Sequence, residues 1–566
     1  MKSAPAAPLE MQHRLFAELS RMFGREVPLY DKSLLVNRVV NEALVALLGR
    51  QWRGFAVSAE QLEKTSGERH GAIRIGRPDE YRWVGRFFAQ FALEPHAFYD
   101  MTNVGARSQP IIATAFRSRL NPEHRVFTSL LMTDWFDGAT RARIEATLAT
   151  RTVFSAEAQR LIEKGERDGG LGWADAEALI AEATGRIFKW TGRARDHALC
   201  EELSKAGFKI AADIACFESH HLNHLTPNTL WMDAYTSAMK FCLGEIGEAV
   251  FREHATLALG QFAAQADADY LRLHFKHFSA AQLAALERTG LPADAIAAAV
   301  DALAQRLKAD DLNLSRHKHS GFKDSTEGPA AGTPVLLRQD SYKALTEPVE
   351  FANADGSVVR ATHTARFGEV EQRFYATTPK GRDLYDRCLA AADAAKEKHP
   401  GLAKKDFAAY LRLAEEAFAP FPKTLLELVE QGLVFARFSA TDAGLAAAKR
   451  RDLAGWASRS RATPVAAGDG GDHHAKETAA LVALARAGHV AIEGLRYEDF
   501  LPISAAGIFA SNLQQYGTKS TAQAKPTYTQ AQLEEILGRK IIDPNETYAA
   551  LEAESRAATL SALALR

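Results

Sequence analysis

The chain of 566 residues is poor in cysteine and has no long apolar run. Its four cysteines, Cys200, Cys216, Cys242 and Cys388, lie far apart without a CxxC pair, so the sequence indicates neither a disulfide framework nor a thiolate zinc site. No stretch approaches the roughly 20 apolar residues that cross a bilayer, and the N-terminus lacks the apolar segment of a secretory signal. We therefore expect a cytoplasmic protein without a membrane partner.

An excess of charge of either sign is also missing. The 69 Lys and Arg residues nearly balance the 70 Asp and Glu residues, which gives a formal net charge of -1. This balance argues against a surface for nucleic acid and leaves only local basic pockets for small anions. The hydrophobic share of 47% and the charged share of 25% are ordinary for a globular protein. No pattern indicates an oligomeric state.

Helical and strand-like patterns both occur, which predicts an α+β fold. The stretches rich in β-branched and aromatic residues are 126–131, 209–217, 335–342, 357–364, 366–376, 433–439 and 490–500. Asp355 and Gly356 make a typical hairpin turn between "EPVEFAN" and "SVVRATHT", so we expect part of the sheet to be antiparallel.

The domain organisation is predicted to be one catalytic domain over residues 1–566. Between residues 231 and 307 the pattern changes to Ala-rich helical periodicity, which we interpret as a helical insertion into the β-containing part. Residues 515–566 are predicted to form a helical C-terminal segment.

Three segments, "RHGAIR", "ACFESHHLNHLTPNT" and "FGEVEQR", concentrate residues that carry chemistry. They contain His70 and Arg74, then Glu218, His220, His221 and His224, and finally Glu369 and Glu371. Two neutral imidazoles and one carboxylate form a ligand set that suits Fe(II) and leaves positions open. Histidines four apart, such as His220 and His224, are also compatible with a shared helix face, and Arg74 with an ordinary ion pair.

Glu369 and Glu371 stand two apart in a predicted strand, so both carboxylates are expected on the same face. Like charges side by side on a strand are destabilising unless something positive compensates them. An arginine, a shared proton or a metal ion each meets that requirement. The residue pattern leaves the three alternatives open.

Five segments together resemble a known family. They are "HGAIR", "ESHHLNHLTP", "VLLRQDSYKAL", "FGEVEQRFYATTPKGRDLYD" and "YEDFLPISAAGIFASNL". They look like the signature segments of the 2-oxoadipate dioxygenase/decarboxylase family, the bacterial hydroxyglutarate synthases of the vicinal oxygen chelate superfamily. The matches run in order from about residue 10 to the C-terminus. The resemblance therefore implies a mixed or antiparallel sheet of that superfamily's type around a metal site.

The resemblance also implies the site residues. His70 and His224 take the places of metal ligands, and His224 is preferred to His220 and His221 because it fills the family's "NH-x-TP" segment. "GEVEQR" is similar to the metal-binding strand of 4-hydroxyphenylpyruvate dioxygenase, which points to Glu369 as the carboxylate ligand and leaves Glu371 a supporting role.

For the substrate, the resemblance implies that Arg74 binds a distal carboxylate. Ile503 and Ser504, in "LPISAAG", are implied as further substrate contacts, and the family more often has valine at position 503. Arg338 and Gln339 lie in another matched segment and receive no role.

The implied reaction is Fe(II)-dependent oxidative decarboxylation of 2-oxoadipate by O2, with hydroxylation of the same molecule to 2-hydroxyglutarate and release of CO2. One alternative is a metal-dependent, glyoxalase-like isomerase or hydrolase acting on a 2-oxo acid, since other metals in the same ligands activate water. The other is a protein that binds 2-oxo acids without turning them over.

Overall fold

The structure is a computed structural model. It describes residues 5–103, 108–120, 123–317, 321–323, 326–342, 345–364, 366–453, 470–501 and 526–565, without the side chains of 68, 69, 404, 470–473 and 475. The α-helices are Pro8–Glu26, Pro28–Gln51, Ala59–Ser66, Pro78–Gln90, Gly138–Ala149, Ala156–Asp168, Trp173–Glu182, His197–Lys205, Lys209–Cys216, Met232–Cys242, Glu248–Gln265, Ala268–His274, Ala280–Ala284, Ala295–Leu307, Pro379–Lys398, Leu402–Lys405, Phe407–Ala417, Leu425–Glu430, Asp442–Lys449, Gly470–Arg486, Gln530–Leu537 and Pro544–Ala562.

The strands lie between these helices and form several small sheets. They are β1 (Trp52–Arg53), β2 (Glu68–Ile75), β3 (Leu93–Asp100), β4 (Ile111–Ser118), β5 (Arg125–Leu131), β6 (Arg193–Arg195), β7 (His224–Pro227), β8 (Glu287–Arg288), β9 (Leu337–Ser341), β10 (Thr346–Ala352), β11 (Val358–Thr364), β12 (Glu369–Arg373), β13 (Ala436–Ala440) and β14 (Val490–Gly494). The predicted mixed α+β class is confirmed.

The largest sheet has five strands in the order β3-β4-β5-β2-β7. Its strands pair antiparallel except for β2 and β5, which are parallel. The antiparallel pair of β9 and β12 continues this sheet beyond β7, because Asn228 bridges Glu371 and the Thr229 N–H donates to the Glu371 carbonyl at 2.8 Å. As a result β2, β7 and β12 lie side by side.

Most of the predicted strand stretches are confirmed, and the hairpin of β10 and β11 turns at Asp355 and Gly356 as expected. The strand predicted over 209–217 is wrong, because Lys209–Cys216 is a helix. Every residue from Ile210 to Cys216 is buried in that helix. A short helix buried on all sides has no polar stripe, so its apolar run cannot be told from a buried strand.

The block predicted as a helical insertion contains four longer helices, Met232–Cys242, Glu248–Gln265, Ala268–His274 and Ala295–Leu307, and the short helix Ala280–Ala284. Three of them, Met232–Cys242, Glu248–Gln265 and Ala295–Leu307, contact the N-terminal helix Pro28–Gln51. Its origin as an insertion stays a prediction. The described part of the C-terminal segment contains Gln530–Leu537 and Pro544–Ala562. Within the described residues, no helix has both the length and the apolarity to cross a membrane.

Three clusters of buried apolar side chains meet near β12. Phe500 belongs to the cluster around the five-stranded sheet. Val370 belongs to the cluster of the Pro28–Gln51 helix and the helical block. Phe374 belongs to the cluster of the C-terminal helices with β13 and β14. The end of the sheet at β7 and β12 is therefore enclosed by packing from three directions.

The backbone of Gly368, the residue before β12, packs closely against the ring of Tyr342. A Cβ at this position would fall inside the ring of Tyr342, which is buried and packs in the same cluster as Val370. We expect Gly368→Ala to lower the free energy of unfolding by about 1–3 kcal/mol, the usual cost of overpacking. Thermal or urea denaturation measures the change.

Gly138→Ala is the matched control for this substitution. Gly138 begins the helix Gly138–Ala149, and nothing lies within 4 Å of a Cβ there. The control should leave stability unchanged or raise it by roughly 0.5–1 kcal/mol. Equal stability of the two variants would show that Tyr342 moves aside without cost and that the contact does not constrain β12.

Candidate metal centre

Three neighbouring strands present His70, His224 and Glu369 to one face of the sheet. In the register of β2 and β7, His224 pairs with Ala72, which stands two residues after His70. Residues two apart on a strand point to the same face, and cross-strand partners share a face. Because β12 follows β7 in the sheet, Glu369 reaches the same place from a third strand.

The three side chains converge on one point. The Nε2 atoms of His70 and His224 lie 3.2 and 3.5 Å from Oε2 of Glu369. One ligand atom from each residue lies within 4.8 Å of the other two, so the group has the geometry to hold a metal ion. All three residues are buried. Among the described residues this is the single group of His, Cys, Asp or Glu side chains with that geometry.

The polar atoms of this group lack partners that burial normally requires. Within the described part of the chain, neither ring nitrogen of His224 has a hydrogen-bond partner. Oε1 of Glu369 has none there either. Buried polar atoms are nearly always satisfied, and an unsatisfied cluster calls for a water or an ion. Two imidazoles and one carboxylate are a donor set that suits a divalent transition metal. The residues present therefore fit a metal ion.

Neighbouring side chains fix the orientation of the three candidate ligands. The Thr226 hydroxyl donates to Oε2 of Glu369 at 3.0 Å. The ring of Phe367 lies 4.6 Å from that of His224, and the ring of Phe500 lies 4.8 Å from that of His70, measured between centroids. Packing on both imidazoles restricts their rotation.

The second acid of the strand, Glu371, is compensated by arginines. Its Oε1 accepts from Arg125 Nη2 at 2.9 Å and from Arg373 Nε at 2.7 Å, and all three side chains are fully buried. Its Oε2 lies 2.9 Å from Nδ1 of His70, without the alignment of a hydrogen bond. Arg125 also donates to Glu498 at 2.8 Å. An arginine pair is thus the compensation for Glu371, one of the alternatives that the sequence left open.

The protonation states follow from this environment. Burial, which disfavours the charged form, holds the pKa of His224 well below its ordinary value, and the positive charge of the nearby Arg74 acts in the same direction. Burial alone would raise the pKa of Glu371, but Arg373, His70 and Arg125 outweigh it and hold that pKa well below the ordinary value. His224 is therefore a neutral imidazole with one ring nitrogen free to bind a metal, and Glu371 is an ionised carboxylate beside His70.

Arg74 lies four residues after His70 on β2 and so faces the same side of the sheet. Its side chain is only 9% exposed, and its Nη1 donates to Oδ2 of Asp213 at 2.8 Å. Asp213 was not singled out in the sequence. It lies in the run wrongly predicted as a strand. A correct prediction of a buried helix there would have shown Asp213 as its single acidic residue.

The other candidates from the histidine-rich segment have partners elsewhere. His220 lies 3.2 Å from Glu80, and His221 lies 3.3 Å from Asp213. Glu218 lies 3.5 Å from Arg195. The structure brings none of these three into the group of His70, His224 and Glu369.

The remaining predicted residues lie apart from the group or outside the description. Arg338 forms a bidentate pair with Asp233, with both distances 2.9 Å. Ile503 and Ser504 fall outside the described residues. Arg125, Arg373 and Thr226, which support the centre, were missed, although Arg373 closes the "EVEQR" run that drew attention to this strand.

Comparison with known proteins extends over nearly the whole chain. A sequence model of the 2-oxoadipate dioxygenase/decarboxylase family matches residues 15–242 and 244–512. The 2-oxoadipate dioxygenase/decarboxylase of Pseudomonas putida is 32% identical over 577 residues, which cover 99% of this chain and 98% of that protein. The protein of the same name from Escherichia coli is 28% identical over 557 residues, 97% of each chain.

A solved structure is similar over the same extent. The crystal structure of the hydroxyglutarate synthase from Pseudomonas putida in complex with 2-oxoadipate matches with a TM-score of 0.63 at 30% identity, and covers 99% of this chain and 100% of that one. The similarity therefore includes the helical parts of the chain and is not limited to the segments that contain the candidate ligands.

Metal retention tests the choice among the histidines. We expect His224→Ala to retain less than about one-tenth of the wild-type metal, because a ligand is lost. His220→Ala is the matched control, since it removes a buried imidazole from the same segment that is paired with Glu80. It should retain the wild-type amount. Elemental analysis after anaerobic loading with Mn²⁺ and dialysis measures both, and equal retention by the two variants would exclude His224 as a ligand.

Proposed function

The chain belongs to the 2-oxoadipate dioxygenase/decarboxylase family, and we propose that it converts 2-oxoadipate and O2 into 2-hydroxyglutarate and CO2 with Fe(II) as its cofactor. The observation that supports this most directly is the buried group of His70, His224 and Glu369. Two histidines and one carboxylate suit non-haem Fe(II) and leave coordination positions for a bidentate 2-oxo acid and O2. Bound iron would supply the oxygen chemistry.

The protein's own contribution begins with the ligand histidine on β2. A metal-bound imidazole needs its second nitrogen held by an acceptor, which fixes the tautomer and the ring orientation. Glu371 is the acceptor within reach: its Oε2 lies 2.9 Å from Nδ1 of His70, and a small rotation of the ring would align the two groups for this hydrogen bond. Arg125 and Arg373 hold Glu371 in turn, so that it stays charged and in place beside the histidine.

Water exclusion is the next contribution of the chain. Phe500 packs against His70 with the two rings nearly perpendicular, Phe367 packs against His224, and both phenylalanines are buried. Apolar rings over the ligands keep bulk water from the reacting carbon and strengthen the electrostatic interactions inside. The guanidinium groups of the fully buried Arg125 and Arg373 also lie near the Phe500 ring, at 5.8 and 5.9 Å from its centroid.

Arg74 is proposed to bind the distal carboxylate of the substrate. Four residues along a strand correspond to about 13 Å between the Cα atoms of His70 and Arg74. An extended six-carbon dicarboxylate, with its contacts at both ends, has a comparable length. A guanidinium suits the task because its planar fork pairs with a carboxylate through two N–H groups and keeps its charge when buried. Ile503 and Ser504 join this proposal on the resemblance of "LPISAAG" alone.

The finer fold assignment, a vicinal oxygen chelate sheet, is part of the same proposal. It is supported by the placement of one candidate ligand on each of three neighbouring strands, β2, β7 and β12, around a common point. The single catalytic domain predicted from the sequence is proposed on the same ground, since three clusters of apolar side chains meet at this sheet.

Oxygen consumption tests the reaction. Protein loaded with Fe(II) without air should consume O2 when 2-oxoadipate is added and release CO2 in equal amount, because one O2 is used for each decarboxylation and hydroxylation. An oxygen electrode and a CO2 assay measure both. Metal-dependent turnover without O2 would favour a glyoxalase-like isomerase or hydrolase instead. Binding of 2-oxoadipate without any turnover would favour a binding protein.

Substitution of Arg74 tests the substrate contact. We expect Arg74→Lys to raise the KM for 2-oxoadipate about 10- to 100-fold with metal content unchanged, because an ammonium cannot reproduce the bidentate fork. Arg338→Lys, in the buried pair with Asp233, is the matched control and should keep the wild-type KM. If the Arg74→Lys protein binds 2-oxoadipate as the wild type does, the role given to Arg74 is wrong.

A further inference from the structure

A second cluster of buried polar side chains lies beside Arg74, and its centre is Asp213. This aspartate is on the helix Lys209–Cys216 and is only 1% exposed. Its Oδ2 accepts from Arg74 at 2.8 Å. Its Oδ1 lies 2.9 Å from Nε2 of His363 on β11 and 3.3 Å from Nε2 of His221. The proposed function uses only the arginine of this cluster.

The two histidines of the cluster are fixed by aromatic packing. The ring centroid of Trp190 lies 4.8 Å from that of His221 and 5.9 Å from that of His363. The ring of Phe217 lies 4.3 Å from that of His363. Both imidazoles are therefore held against the carboxylate by surrounding rings. Asp213 receives contacts from a strand, a loop and a hairpin, which define the position of its carboxylate.

The charge of Asp213 follows from the same contacts. Burial alone would raise its pKa, but His221, His363 and Arg74 outweigh burial and hold the pKa well below the ordinary value. A buried carboxylate without partners is costly, and one that is paired and hydrogen-bonded is tolerated. The carboxylate that faces Arg74 is thus an ionised acceptor in a fixed place.

A fixed acceptor has a direct consequence for a guanidinium. The group is planar, so a charge-assisted hydrogen bond to one of its amino nitrogens sets the direction of the whole fork. Arginine otherwise has many side-chain rotamers, and each must be frozen when an anion binds. An arginine held beforehand loses less freedom on binding and accepts an anion from one direction.

We propose that Asp213 is a positioning residue that orients Arg74 toward the distal carboxylate and thereby selects 2-oxo acids that carry a second acid group. The inference rests on the proposed function, which places that carboxylate at Arg74. His363 holds Asp213 in turn through its Nε2 at 2.9 Å, and His221 lies beside the same carboxylate. The structure thus assigns to the 209–217 run a part in substrate selection that its apolar sequence does not indicate.

Asp213→Asn tests the proposal with two substrates. 2-Oxohexanoate has the same chain length as 2-oxoadipate but ends in a methyl group. The measured quantity is the preference for 2-oxoadipate, the ratio of the two KM values, together with the ratio of the two dissociation constants from anaerobic calorimetry with Fe(II)-loaded protein. We expect this preference to fall about tenfold in Asp213→Asn, as for loss of a charge-assisted hydrogen bond, with kcat and metal content retained. A general loss of structure would weaken both substrates alike and leave the ratio unchanged.

The opposite result has its own physical reason. A neutral amide leaves Arg74 with less compensation for its positive charge, which strengthens attraction to any anion. If this effect dominated, 2-oxoadipate would bind more tightly to Asp213→Asn and the preference would rise. A raised or unchanged preference overturns the positioning role. The control is Asp233→Asn. Asp233 forms a buried ion pair with Arg338, away from Arg74, so this variant should keep the wild-type preference.

A second variant keeps the test decisive if Asp213→Asn does not fold. His363 is 10% exposed, and His363→Phe preserves a ring against Phe217 while removing the contact with Asp213. We expect His363→Phe to lower the preference for 2-oxoadipate about threefold. The effect is smaller than for Asp213→Asn because the carboxylate remains and loses only one of its hydrogen bonds. An unchanged preference in this variant refutes the role of the cluster.

The wild type separates this inference from the proposed function. If wild-type protein consumes no O2 with 2-oxoadipate, or does not prefer it to 2-oxohexanoate, the proposed function fails and the inference fails with it. If the wild type shows the preference and Asp213→Asn retains it, only the positioning role of Asp213 is wrong.

Discussion

The burial of one carboxylate without a cation is the constraint on which the site depends. Glu369 lies against two imidazoles, and among the described residues no lysine or arginine forms an ion pair with it. A buried charge in this state is costly unless something positive joins it. The neighbouring acid Glu371 shows the other solution, because two buried arginines surround it. Glu371 has its positive partners and Glu369 has none among the described residues. A metal ion bound beside Glu369 would therefore stabilise the folded protein.

This difference arises from sheet geometry. Glu369 lies next to β7 and meets its histidine, whereas Glu371 reaches the start of β5 and the arginine there. The close approach of β7 to β2 favours glycine at position 71, where a Cβ would lie 3.0 Å from the Leu225 side chain and 3.2 Å from the His224 carbonyl oxygen. The glycine in "RHGAIR" is thus explained by packing on one face of the sheet, while His70, the residue before it, points to the opposite face with the candidate metal ligands.

The sequence was sufficient for the parts of the site whose residues stand in short strands. Period two placed Glu369 and Glu371 on one face, where both contact His70, and the hairpin turn was readable from Asp355 and Gly356. His70, His224 and Arg74 were named through the family resemblance. The link between Arg125 and Glu371 was not predictable, because 246 residues separate them and no local pattern pairs the start of one strand with another. Asp213 was missed for a different reason. Its helix is apolar all round, and a fully buried helix does not display the period that would have identified its one acid.

His70, a candidate metal ligand, and Arg74, the proposed partner of the distal carboxylate, lie on the same strand, which bears on the substrate length that the proposed site would accept. The separation of His70 and Arg74 is set by the rise of an extended backbone, which varies little, and a slip of one residue would turn both side chains to the opposite face. Loops adjust easily during divergence, but a central strand with neighbours on both sides does not. Differences in chain-length preference within such a fold must therefore come from the orientation of the guanidinium or from the opposite wall of the pocket. In our proposal the first of these is set by Asp213, which lies on the helix Lys209–Cys216 and accepts a hydrogen bond from Arg74.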